Sequence, residues 1–236
     1  MELLKTAHNE KSNKWNFVTR EYCYISDLWF DEVKPFCGDF GAVRLGDKWH
    51  FIDRRGLFIF SKGFDDAKGF REGWGCVKIN HKWNFINEKG RYLSDTWFDE
   101  ASLFEEGFAT VVIDGKHNFI SQEGKILLSE GLDFVMDFWC GYSSVMKNNK
   151  WNFIDQEGNF ISKQWYDEIG MFYLNYARVK EDDKYNYINI DGHLLSDIWF
   201  DEAADMISSG NYWKVRSGDD WFAMDCHGYR LKIHPE

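Results

Sequence analysis

The chain has 236 residues, 44% of them hydrophobic and 19% aromatic, with twelve Trp and a formal net charge of −11. That acidic balance disfavours general nucleic-acid binding, which needs cations to meet phosphates. No apolar run approaches the roughly 18 residues of a membrane span.

Taken from the N-terminus, MELLKTAHNEKSNKW has no apolar stretch of the signal-peptide kind. The five Cys (Cys23, Cys37, Cys76, Cys140 and Cys226) stand at irregular places and make no disulfide framework. Both features predict a cytoplasmic protein with reduced thiols. The first strong element is KWNFV at Lys14. It returns as KWHFI at Lys48, KWNFI at Lys82, KHNFI at Lys116, KWNFI at Lys150 and KYNYI at Lys184, with a degraded copy, DWFAM, at Asp220. The first six copies are 34 residues apart. A second anchor keeps the same step: WFDE at Trp29, then GFDD, WFDE, GLDF, WYDE and WFDE, with Asp31, Asp65, Asp99, Asp133, Asp167 and Asp201. Five residues after each Asp comes Phe36, Phe70, Phe104, Phe138, Phe172 or Met206. Then follow Val43, Val77, Val111, Val145, Val179 and Val215, the last displaced by a two-residue insertion near Ile207–Gly210. In the first four copies Trp and Gly alternate before the Asp segment, which suggests duplication of a two-repeat unit.

Within a unit, FATVVID has the period of two that marks a strand, and KWNFIN is a second strand with Trp83 and Phe85 on one face and Asn84 and Ile86 on the other. Asn87–Gly90 and its equivalents predict a turn closed by an Asx or Ser side chain, with Gly supplying positive φ. RYLSD reads as a short third strand and TWFDEASLFEEG as an irregular link. Each unit is then an antiparallel meander too small to bury its own aromatic face, so neighbouring units must supply the core. With only Pro35 and Pro235 in the chain, no Pro-rich linker divides it. The expectation is one all-β repeat domain over 1–236. Its units start near 14, 48, 82, 116, 150 and 184, with a partial unit from 220, and they stack as an open array, the alternative being a closed propeller-like ring.

The pattern K-W-N-F-I-[DN]-x-x-G … W-F-D-E … F-x-x-G-[FW]-[GA]-x-V resembles the WG-repeat (KWG-repeat) family of bacterial β-repeat proteins, from Lys14 to about Gly228. In the family Gly usually follows the Trp; here that place holds Asn16, His50, Asn84, Asn118, Asn152, Asn186 and Phe222. The Pro common before the aromatic-Asp segment is also absent. The resemblance implies an all-β interaction protein and assigns no catalytic residue.

The Lys ladder (Lys14, Lys48, Lys82, Lys116, Lys150, Lys184) reads either as an anion-binding edge or as pairing with the Asp/Glu ladder. The shared period favours pairing, and the Asp itself reads as a turn-fixing acceptor. Trp15, Trp49, Trp83 and Trp151 are expected in the inter-repeat core rather than in a groove. Function is expected where copies differ. On the Val strand, Arg44, Lys78, Arg178, Lys180, Lys214 and Arg216 flank the inward Val and should point outward by alternation. Near them lie the off-consensus aromatics Trp74, Trp139, Tyr173 and Trp213. Arg with exposed Trp and Tyr is the composition of interface hot spots. No HExxH, GxSxG, CxxC pair, P-loop or dinucleotide fingerprint occurs, and Cys226-His227 would point apart on a strand. The sequence therefore predicts a non-enzymatic, cofactor-free scaffold that binds another protein, not nucleic acid or a membrane. Alternatives are an acidic inhibitor of a basic nucleic-acid-binding groove, or a carbohydrate-binding module with exposed Trp.

Overall fold

In the computed structural model, residues 4–204, 212–225 and 227–231 are described. Met206, the insertion near Ile207–Gly210 and Cys226 lie outside the described residues. The described residues contain no helix. They form small antiparallel sheets in tandem, none closed on itself.

In chain order, β1 (Lys5–Asn9) pairs with β2 (Lys14–Val18). Three-stranded meanders follow: β3 (Glu32–Val33), β4 (Phe40–Leu45) and β5 (Lys48–Asp53); β6 (Asp66–Arg71), β7 (Trp74–Ile79) and β8 (Lys82–Asn87); β9 (Glu100–Ala101), β10 (Phe108–Ile113) and β11 (Lys116–Ser121). These sheets belong to a compact unit spanning residues 1–131. A second compact unit, 132–236, holds β12 (Phe134–Val135), β13 (Tyr142–Lys147) and β14 (Lys150–Asp155); then β15 (Glu168–Ile169), β16 (Tyr176–Glu181) and β17 (Lys184–Asn189). It ends with the four-stranded β18 (Glu202–Ala203), β19 (Trp213–Ser217), β20 (Asp220–Met224) and β21 (Arg230–Leu231).

The long hairpins turn on two residues. Asn80 and His81, Asp114 and Gly115, Asn148 and Asn149, and Asp182 and Asp183 all have positive φ. Two successive positive φ values match the twist of the flanking strands, and Asn, Asp and Gly tolerate them best. The Asx turns form as expected: Asn87 Oδ1 accepts from the backbone N–H of Lys89 and Arg91, both at 3.0 Å, while Gly90 N–H donates to Asn87 O. The third strand is not RYLSD. That segment makes one bridge, Ile86 to Tyr92, whereas Glu100–Ala101 in the expected link pairs with β10. The Asp segment is held straight by its hydrogen bonds to the hairpin it precedes, which period-two reasoning on a four-residue stretch does not reveal.

Both faces of a sheet are covered within each unit. On β7 and β8, Val77 and Ile86 pack with Trp49 and Phe51 of the preceding sheet, with Phe64 beside them and Phe70 of their own β6. On the opposite face Cys76, Trp83 and Phe85 pack with Phe98, Phe104, Ala109 and Val111 of the following one. In the second unit, Val179 and Ile188 pack with Phe153 and Tyr166, while Tyr187 packs with Phe200, Trp213 and Val215. Burying one such Phe stabilises by about 1.5–3 kcal/mol. Alternation along a strand therefore separates the preceding neighbour from the following one, not core from solvent.

Candidate functional site

The Lys and Asp ladders meet. Lys14 bonds Asp31 at 2.9 Å, Lys48 bonds Asp65 at 2.5 Å and Lys150 bonds Asp167 at 2.7 Å; Lys82–Asp99 and Lys184–Asp201 repeat the pair. The second oxygen of each Asp accepts a turn N–H, from Gly46 to Asp31 at 2.8 Å, from Asn80 to Asp65 at 2.7 Å and from Asp182 to Asp167 at 3.1 Å. Each Asp thus ties the preceding sheet's Lys to the hairpin turn of the following sheet. Lysine hydrogen bonding holds these carboxyls below their ordinary range, with the turn N–H adding to the effect. Asp167, Glu181 and Asp182 come within possible metal-ligand distance of one another, but Lys150 Nζ already bonds Asp167 and Glu181 there.

The Asn that follows the ring of most copies is a lock that the sequence did not reveal. Asn84 is fully buried; its amide donates to the carbonyls of Ser94 and Thr96, and its Oδ1 accepts the Phe85 N–H. Asn16, Asn152 and Asn186 do the same. The recurrence of Asn at a place held to small residues was the available signal. In the repeat where His50 replaces Asn, Trp gives way to Gly63, and a Cβ there would meet Lys48 and the His50 ring; Gly131, whose repeat keeps Asn118, is crowded by Lys116 in the same way. His50 then meets Phe58 edge to face at 5.2 Å, the kind of partner that Trp97 and Trp165 find in Tyr92 and Phe160. Burial keeps the His50 imidazole below its ordinary pKa.

The expected outward cations are not free. Arg44 pairs with Glu32, Lys180 with Glu168 and Asp183, and Arg216 with Glu202. Lys78 lies over the Trp83 ring, Arg178 over Tyr185, and Lys214 and Arg216 over Trp221. Cross-strand register puts Lys78 opposite Trp83, on the face that meets the next sheet. Trp49 and Trp83 are in the core at 7% and 6% exposure, as expected, whereas Trp15 and Trp151 are half-buried. Of the candidate aromatics, Trp213 is a core residue at 2% exposure and Trp74 packs beside Phe104. Both were expected to be exposed; a stack with two covered faces absorbs them.

Trp139 and Tyr173 remain outside. They occupy one repeat position, at the turn before β13 and before β16. In the first unit that position holds Cys37, then Arg71 and Glu105, which pair with each other. In the second unit it holds two aromatics, with Trp139 at 63% exposure. Beside them Met136, Met171 and Leu174 are exposed too. Met136, Trp139, Tyr142, Met171 and Phe172 line one shallow cleft. Sequence reasoning found the aromatics but missed the methionines; Met136 stands where the first unit carries Lys34, Lys68 and Ser102, and Met171 where it carries Pro35, Gly69 and Leu103.

With this geometry in view, the WG containing repeat model matches residues 51–83, 85–116, 119–151 and 153–185. The chain belongs to the WG-repeat family. A comparison with curated proteins finds no match. Among solved structures this WG-repeat chain is similar to a eukaryotic initiation factor, with TM-score 0.49, 11% identity, and 100% of this chain and 74% of that one covered. It is also similar to Hsv2 of Kluyvelomyces marxianus, with TM-score 0.42, 10% identity and coverage of 91% and 89%. A third is a chain of a mitotic checkpoint complex, with TM-score 0.37, 10% identity and coverage of 94% and 84%.

Proposed function

We propose that this WG-repeat protein is a non-enzymatic scaffold that captures another protein on the edge of its second unit formed by Met136, Trp139, Met171 and Tyr173. The observation that carries this reading is the position occupied by the Arg71–Glu105 pair in the first unit and by exposed Trp139 and Tyr173 in the second. An aromatic exposed where the repeat can hold an ion pair contributes nothing to folding that the pair would not. Clustered exposed apolar side chains mark interaction sites, and Trp and Tyr dominate the energetics of such sites. The ladders of Lys, Asp and Asn and the buried Trp have structural partners, which supports this reading over an anion-binding edge or a sugar platform along the repeats.

The test transplants the first unit's solution. Trp139→Arg with Tyr173→Glu replaces two exposed aromatics by a pair already tolerated in the fold, and a surface pair changes stability by only about 0–1 kcal/mol. In affinity capture from the source cell, a protein retained by the wild-type chain is expected to be lost by the double variant, with thermal unfolding unchanged. Equal recovery of that protein by both chains would remove this edge as the binding face.

A further inference from the structure

Three repeats place a cation of their own in the same niche. Lys34 Nζ sits 4.1 Å from the centre of the Trp49 ring, bonds the Ala67 carbonyl at 2.5 Å and pairs with Asp66 at 3.3 Å. One repeat on, Lys68 Nζ sits 4.7 Å from the Trp83 ring and bonds the Ala101 carbonyl at 2.5 Å. In the sixth repeat the cation comes from the neighbouring strand instead: Arg178 lies 4.9 Å from the Tyr185 ring and donates to the Ala203 carbonyl at 3.1 Å. The niche is therefore an aromatic face with a backbone carbonyl 18 residues downstream. An acidic side chain precedes that carbonyl in every case: Asp66, Glu100 and Glu202. A cation over an aromatic face is attracted by the ring quadrupole, and a charge-assisted bond to the carbonyl fixes its position.

The fifth repeat builds the same niche and, among the described residues, leaves it without an internal cation. Its ring is Trp151, its carbonyl belongs to Ile169 and its carboxylate to Glu168. The places from which a cation could come hold Met136, where Lys34 and Lys68 stand, Ser144, where Arg178 stands, and Met146, where Lys78 and Lys180 stand. The backbone frame is unchanged: Gly170 N–H donates to Arg178 O at 2.7 Å, as Ser102 N–H does to Thr110 O and Ala204 N–H to Lys214 O. The result is an open cleft lined by Met136, Ser144, Trp151, Glu168, Ile169 and Met171. Lys180 bonds one oxygen of Glu168 at 3.0 Å; its other oxygen has no bonded partner among the described residues.

We infer that this cleft receives a lysine side chain of the partner protein, its ammonium over Trp151 and bonded to the Ile169 carbonyl beside Glu168. The inference rests on the binding reading above for its biological occupant, because Met136 and Met171 line both this cleft and the one beside Trp139. The chemistry of the niche is independent of that reading: the chain fills it elsewhere with its own Lys. An unmethylated ammonium fits best, since the internal examples all donate a hydrogen bond to the carbonyl. The net charge of −11 favours a basic visitor over long range.

The probe is Nα-acetyl-lysine methylamide, with the norleucine and Nε-acetyl-lysine analogues as isosteres that lack the charge. The readout is the Trp151 indole N–H resonance of the full chain, assigned with Trp151→Phe. A saturable shift with the lysine compound is expected, at least tenfold weaker with either neutral analogue. Met136→Lys should supply an internal ammonium and abolish the response while preserving the dispersed spectrum. Lys34→Ala should uncover Trp49 and make its indole respond as well. No saturable shift of Trp151, an equal response to the norleucine compound, or a response that survives in Met136→Lys would each overturn the inference. The Trp139→Arg, Tyr173→Glu variant separates the two proposals: it should lose the partner and keep the lysine response.

Discussion

Replacing Asn84 by Ala tests whether the amide lock, rather than the Trp beside it, holds each repeat's loop. The side chain is fully buried and makes three bonds: to Ser94 O at 2.8 Å, to Thr96 O at 3.3 Å and from Phe85 N–H at 2.7 Å. Each bond contributes about 1 kcal/mol net, and the groups left without partners add to the loss, so Ala should cost about 3–4 kcal/mol. For a chain of this size each kcal/mol moves the melting temperature by about 2–4 °C, which gives a fall of roughly 6–16 °C. Near-UV circular dichroism, which follows the packed aromatics, is the assay. Asn84→Asp sharpens it. A carboxylate facing two carbonyl oxygens in a buried site is disfavoured, so its folded pKa rises. Its deficit should therefore be largest at neutral pH and shrink as the pH falls through that raised value. A fall under about 2 °C for Ala, or an Asp variant that matches Ala at every pH, would refute the lock.

The ladder carboxyls make the opposite pH prediction. Asp31, Asp65, Asp99, Asp167 and Asp201 all titrate below their ordinary value in the folded chain, because a Lys bonds each one. Their contribution is fully present above the unfolded value of about 3.9 and is lost as pH falls through the depressed ones. The urea midpoint should hold from pH 7 to 5 and drop below pH 4, and Asp99→Asn should flatten that drop. Glycines divide by surroundings. Gly107→Ala meets nothing within 4 Å and should cost only the about 1–2 kcal/mol of a left-handed residue. Gly192→Ala also drives a Cβ into the Ile161 carbonyl and should cost clearly more in the same melt. Burial pushes the Cys76 thiol up to about 12, whereas Cys23 is exposed. Maleimide labelling at pH 8, read by peptide mass, should mark Cys23 within minutes and Cys76 only after unfolding.

The fold was legible because the period is carried by residues whose partners share it. Lys14 and Asp31 recur together because one bonds the other across successive sheets, and Phe85 recurs because every copy needs the same filler. What the sequence hid was which side of a strand meets water. Reading Val77 as inward made Lys78 outward, but in a stack the Lys78 face is Trp83's face and carries the next sheet. Trp213 was misplaced for the same reason. The third strand escaped because two-residue strands such as Glu100–Ala101 have no period to detect. Trp139 and Tyr173 were legible as off-consensus aromatics. They are exposed, as expected; that the same position can hold an ion pair followed only from seeing Arg71 and Glu105 paired there.

A repeat protein compares each position with itself in several surroundings, and that comparison does more here than any motif. One position holds Lys34 and Lys68, which cover a Trp with an ammonium, then Ser102, and then Met136 beside Trp151; another holds Cys37, then Arg71 and Glu105, which pair, and then Trp139 and Tyr173, which stay exposed. Met136, Trp139 and Tyr173 lie at one edge of the second unit. Each is an apolar or aromatic group at a position where an earlier copy carries a charge that folding uses. A fold under selection for stability alone has no reason to make both exchanges side by side. A surface that must release its internal partners in order to accept external ones does.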